Sequence, residues 1–152
     1  MNIREKLSVL GLQLPEPPPP GGNYVSVNIR GNIAYLAIQF PKQNGKVYYT
    51  GKLGEVLTTQ DGYKAMQMCA LNVLAHIDKN PGFDRIEGLN HLDAYYVSSD
   101  SWTNQAPKVV DGASDLFVNV LGEKGVHSRA IFGVDRLPRN FCVGLTATFT
   151  LC

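Results

Sequence analysis

Few side chains in this sequence fall into a spacing that does chemistry, and Arg129 stands out among them. It lies between Ser128 and Ala130 in a short strand-like stretch, with Ile131 on the same side. Two readings are open for an arginine so placed. It is an outward-facing strand residue in solvent, or it is a rigidly aimed guanidinium fork at a subunit seam, gripping a carboxylate through two parallel hydrogen bonds. The histidines offer less. His76 falls off the apolar stripe of a helix, His91 opens a strand and His127 precedes one. None adjoins a nucleophile in a known motif, so all three read as structural or solvated. Glycine-rich phosphate loops and His-Glu-x-x-His are absent. Cys69, Cys142 and Cys152 are odd in number and lack metal-ligand spacing, so they read as reduced thiols, with Cys69 in the core. No cofactor is expected, and thiol usage suits a cytoplasmic location.

These residues must be positioned by a chain of 152 residues, the length of one domain. Lys plus Arg is 14 and Asp plus Glu is 13, a net charge of +1. That balance argues against a nucleic-acid groove, which needs clustered cations to displace phosphate counterions. No apolar run approaches the ~20 residues of a membrane span. The first 14 residues lack the apolar core and small-residue cleavage site of a signal peptide.

Residues 2–10 read as a short helix with Asn2 as N-cap. Pro15 to Gly22 follows as an extended arm, either a surface linker or a strap across a partner subunit. Residues 1–22 thus precede a domain over 23–152. Val25, Val27 and Ile29 alternate with polar residues, Gly31-Asn32 marks a turn, and Ile33 to Phe40 is a near-continuous apolar run. This is a hairpin ending in a central strand. Ala34, Leu36 and Ile38 should face one side of it, and Ile33, Tyr35, Ala37 and Gln39 the other. Val47 to Thr50 suits a short third strand. Thr58, with Asp61 at the capping-box position, starts a long helix whose stripe is Tyr63, Met66, Cys69, Ala70, Val73, Leu74 and Ile77. A strand within Ile86–Val97, a helix over Pro107–Leu121, and strands over Ser128–Phe132 and Phe141–Leu151 complete the chain. The order predicts an α+β domain, one mixed sheet with two long helices on one face. The sheet's other face, largely apolar along Ile33–Phe40, predicts oligomerisation.

Arg129-Ala130-Ile131-Phe132-Gly133-Val134-Asp135-Arg136-Leu137-Pro138, followed by a last strand, resembles the C-terminal signature of the RidA (YjgF) family. Gly22-Asn23-Tyr24-Val25, Gly31-Asn32 and Gln39-Phe40-Pro41 resemble its opening, its turn and its strand end. Leu12-Gln13-Leu14-Pro15 and Gly112 to Leu116 resemble a longer branch of it. The resemblance spans about 20–151 and implies a chorismate-mutase-like fold assembled as a homotrimer. It implies clefts between subunits that bind small 2-keto or 2-imino acids, and hydrolysis of 2-imines and enamines. The family's older endoribonuclease label finds no support in the charge balance.

Carried over residue by residue, the resemblance puts the carboxylate anchor at Arg129 and a pocket tyrosine at Tyr24. A pocket serine becomes Ala37, with Ile38 replacing the glycine after it. An asparagine at the start of the second long helix becomes Asp111, and a small residue two after the arginine becomes Ile131. The glutamate that positions the attacking water becomes Gly144. The expected site is Arg129, Tyr24, Ala37, Asp111, Ile131 and Gly144: an anchor kept in a more apolar pocket, with any deaminase activity weak. A non-enzymatic ligand-binding trimer is the alternative.

Overall fold

Asn2 closes the start of helix α1 (Ile3–Val9), its side chain accepting from the Glu5 amide at 2.8 Å. The computed structural model describes residues 1–152 throughout. Leu7 buries the inner side of α1 in the core. The proline-rich arm beyond it lies along its own chain: Leu12 and Leu14 pack on the core, and Glu16 approaches Lys79 at 3.5 Å.

The sheet comprises β1 (Val27–Arg30), β2 (Ile33–Gln39), β5 (Ile86–Tyr96), β6 (Ser128–Gly133) and β7 (Val143–Leu151). Their spatial order is β1-β2-β7-β5-β6, antiparallel except for the parallel β5–β6 pair. A separate small ladder joins β3 (Lys42–Gln43) to β4 (Lys46–Val47). Helices α2 (Thr59–Lys79) and α3 (Ala106–Leu121) cover one sheet face, and α1 packs on α3. The fold is therefore α+β, with a mixed sheet and three helices. Thr58 and Asp61 form a complete capping box ahead of α2, at 3.0 and 2.9 Å. The core sets Leu36, Leu92, Leu145 and Phe149 of the sheet against Met66, Val73, Leu74 and Ile77 of α2 and Val110, Leu116 and Phe117 of α3.

The two long helices cross closely because glycine lies at the crossing. A Cβ on Gly112 would stand 2.1 Å from the Tyr63 carbonyl oxygen, and one on Gly62 would stand 2.7 Å from Val109 Cγ2. The opposite sheet face has no helix over it and leaves Tyr35 and Phe132 half exposed.

Two local expectations are corrected. The Val47–Thr50 strand is interrupted at Tyr49, whose φ of 54° leaves the extended region; only Thr50 bridges onward, to Phe141. Along β2 the alternation breaks. Leu36 pairs with Ala147 but Gln39 with Leu145, so an extra residue bulges between them. Gln39 is thereby buried on the helix-covered side, and Ile38 turns to the open one. Of the two readings open for His76, structural and solvated, burial selects the first, because residues from Cys69 to Ile77 of α2 are covered nearly all round.

Candidate functional site

Arg129 stands opposite Leu92 in the β5–β6 register, and Leu92 lies in the core. That fixes Arg129 on the helix-covered side of the sheet, under α3. Residues three apart on a helix share a face, so Asp111 and Ser114 both meet it. Arg129 Nη1 donates to Asp111 Oδ1 at 2.8 Å and to Ser114 Oγ at 3.0 Å. Behind Ser114 stands His127. Its Nδ1 lies 2.6 Å from the Gly125 carbonyl, which can only accept, so Nδ1 carries the proton. Nε2 is then the acceptor for the Ser114 hydroxyl at 2.9 Å. Each member of this chain fixes the next, and the last is the guanidinium.

The fork is only partly used. Both bonds leave from Nη1, and the edge formed by Nε and Nη2 has no protein partner. The Arg129 side chain is 25% exposed and that of Asp111 46%. An oriented, partly desolvated guanidinium with Nε and Nη2 free is chemically able to take a carboxylate through two parallel hydrogen bonds. Ile131 shares the face and packs against the core beside it. One turn further along α3, Asp115 accepts from the Tyr63 hydroxyl at 2.8 Å. Burial first, then this bond and the charges of Asp115 and Asp111, push the Tyr63 hydroxyl up to about 12.

The other expected site residues lie elsewhere. Tyr24 is half exposed, and its hydroxyl accepts from the Gly21 amide at 3.1 Å. It lines a cleft of about 310 Å³ with Ser26, Ile38, Phe40, Lys42, Arg139 and the Pro18–Gly21 arm. Ala37 sits in the β2 bulge, and its carbonyl accepts from Gln39 Nε2 at 3.1 Å. Gly144 pairs with Tyr95 on the open sheet face. A Cβ there would meet Ile38 Cδ1 at 2.8 Å and Phe40 Cε1 at 3.0 Å. The space where a longer side chain would begin is taken by apolar carbon.

The structure thus brings Arg129, Asp111 and Ile131 together at one edge of the sheet. Tyr24, Ala37 and Gly144 gather toward the other. With strands about 4.8 Å apart, β6 and β2 are separated by about 14 Å. Gly144 and Arg129 also look out from opposite faces. One chain holds two half-sites and does not join them. The sequence reading missed Ser114 and His127 as parts of the Arg129 half. The signal was available, since Ser114 is three residues from Asp111 and His127 two before Arg129. His91 is hydrogen-bonded too, to Asp93 at 2.9 Å and Ser128 at 2.7 Å, on the sheet face away from Arg129. No three His, Cys, Asp or Glu side chains are grouped as metal ligands, and no helix is long and apolar enough to cross a membrane.

The fold is thus an α+β domain with an anchored guanidinium at one sheet edge and an aromatic, proline-walled cleft toward the other. Residues 4–149 match the family described as "YjgF/chorismate_mutase-like, putative endoribonuclease", and the chain belongs to it. It is 36% identical to Protein TCP17 of Trypanosoma cruzi, over 98% of this chain and 94% of that one. The crystal structure of Atu1372 from Agrobacterium tumefaciens is 32% identical and superposes with a TM-score of 0.91, covering 99% of this chain and 92% of that chain. E. coli TdcF, solved with bound serine, shares the fold at 15% identity and a TM-score of 0.64, over 89% and 93% of the two chains.

Proposed function

We propose that this protein binds small 2-keto or 2-imino acids in clefts between the subunits of a homotrimer, with Arg129 as the carboxylate anchor. The observation that carries the reading is the guanidinium held through Nη1 by Asp111 and Ser114, with Nε and Nη2 unpartnered on a side chain that is partly exposed. The two half-sites at opposite edges of one sheet are what a cleft between copies requires: one chain supplies Arg129, its neighbour Tyr24 and Ala37. The open sheet face, with Tyr35 and Phe132 half exposed, gives the copies apolar surface to share. TdcF, which holds serine, supports small acids as ligands of this fold.

Binding outweighs turnover in this reading. With Gly144 packed under Ile38 and Phe40, no carboxylate stands where water would be activated. Losing a positioned acid–base group costs ~10²–10⁴ in rate. Any hydrolysis of 2-imino acids to keto acids and ammonia rests on orientation alone. The near-neutral charge gives a ribonuclease no basic track.

The test combines light scattering, calorimetric titration with pyruvate and ammonia release from an enzymatically generated 2-imino acid, in wild type and Arg129→Ala. The reading expects a trimer, slow release at most, and carboxylate binding weakened about ten- to a hundredfold in the variant. A stable monomer, or equal binding by the two proteins, overturns it.

A further inference from the structure

The carboxylate of Asp111 sits where the resemblance implies a neutral amide, and it changes what the Arg129 cleft can accept. Only its Oδ1 is engaged, by Arg129 at 2.8 Å. Its Oδ2 has no partner, and the side chain is 46% exposed. One ion pair therefore carries unsatisfied groups of both signs: the Nε and Nη2 donors of Arg129 and the Oδ2 acceptor of Asp111. Opposite charges side by side form a dipole, and the ligand that complements a dipole is another dipole running the other way. The surroundings lean the same way. Asp115 lies one turn along α3, and Tyr63, which donates to it, keeps its proton. Apart from Arg129, no cation is ion-paired or hydrogen-bonded to either carboxylate.

We propose that Asp111 makes this cleft selective for acids carrying a protonated nitrogen on the carbon next to the carboxylate, such as α-amino acids and 2-iminium acids, over the keto acids of the same skeleton. The inference rests on Arg129 as the carboxylate anchor. A simple keto acid brings a lone negative charge to a place where Asp111 already offsets the guanidinium. A dipolar acid places its carboxylate on Arg129 and its N–H donors on Asp111 Oδ2, satisfying both edges at once. Asp111 is here a specificity-determining residue, and it moves no proton.

Pyruvate and alanine share a skeleton and differ in the charge on C2, so calorimetry on the full-length protein at neutral pH compares them directly, with both alanine enantiomers. A charge-assisted hydrogen bond of ordinary strength predicts that the better enantiomer binds about ten- to a hundredfold more tightly than pyruvate. Asp111→Asn keeps the shape and an oxygen for Arg129 Nη1 but removes the charge. Alanine should weaken about tenfold there while pyruvate tightens, reversing the order. Pyruvate binding as tightly as alanine to wild type overturns the proposal without touching the anchor, provided Arg129→Ala weakens that binding about ten- to a hundredfold. Alanine binding unchanged in Asp111→Asn overturns it as well. If wild type binds neither ligand, the anchor reading falls and this proposal with it.

Discussion

Replacing Gly112 by alanine adds one methyl group to a helix, and alanine is the better helix former by about 1 kcal/mol. On an exposed helix the change would stabilise. Here the new Cβ would stand 2.1 Å from the Tyr63 carbonyl oxygen and 2.9 Å from its carbon, both backbone atoms of the facing helix. A carbon–oxygen contact relaxes near about 3.3 Å, so α2 and α3 must part by roughly 1.2 Å. Gaps of that order forfeit a quarter to a half of each dispersion contact across the seam, and Val109, Ala113 and Leu116 all lie buried nearby. Overpacking costs of ~3 kcal/mol follow, the upper end of the usual range, because no side chain can rotate out of the way. Net of propensity, about 2 kcal/mol of stability is lost. For a domain of this size that lowers Tm by about 4–8 °C. Gly112 also stands between Asp111 and Ser114, so displacing α3 draws both partners away from Arg129. Differential scanning calorimetry with pyruvate and alanine titrations reads both effects. A Tm equal to or above wild type would show that the helices are not in backbone contact at Gly112, and the packing argument would fail.

Thr58→Ala removes the hydroxyl half of the capping box and should cost about 1 kcal/mol, seen as a Tm lower by about 2–4 °C. Burial lowers the His76 pKa, and its Nε2 has no partner. The unfolded chain therefore takes up this proton first, so stability present above about pH 6.5 falls as the solution is acidified, by at most about 1.4 kcal/mol per pH unit. Urea titrations from pH 7.5 to 5 should show that slope in wild type and a shallower one in His76→Leu. Gly144→Glu alone should destabilise, because its Cβ meets Ile38. Combined with Ile38→Gly it should fold and speed ammonia release from 2-imino acids about a hundredfold; a folded double variant no faster than wild type would refute a water-activating role for that position.

What the sequence disclosed was whatever depended on local patterning. Thr58 and Asp61 marked the start of α2, and the stripe from Tyr63 to Ile77 gave its inner face. The order of strands and helices followed from alternation and breakers. What stayed hidden depended on a second segment arriving from elsewhere. His76 stayed open between a structural and a solvated reading because the stripe marks only the sheet-facing side of α2. Its other side is covered by the arm around Leu12 and Leu14 and by the Phe40–Lys42 turn, whose carbonyls accept from Asn72. The β2 bulge has no signature in Ala37-Ile38-Gln39, yet it decides that Ile38 fills the space over Gly144. At the site, the resemblance named Arg129 and Asp111 separately. That they are bonded to each other, with Ser114 and His127 behind, comes from the crossing of β6 under α3, which no linear pattern reveals.

In the proposed homotrimer, the division of Arg129 and Tyr24 between the two sides of one sheet would give mixtures of variants a behaviour that neither parent has. Arg129→Ala would spoil the seam to which a chain lends its β6 edge, and Tyr24→Ala the seam to which it lends its β1 side. On the trimer proposed above, a subunit damaged at one edge still offers an intact opposite edge to its neighbour. Two preparations with impaired binding, mixed in equal amounts and allowed to exchange subunits, would recover about a quarter of their seams with both halves whole. The recovered fraction would grow at the pace of subunit exchange, so the binding signal after mixing becomes a clock for how often the ring opens.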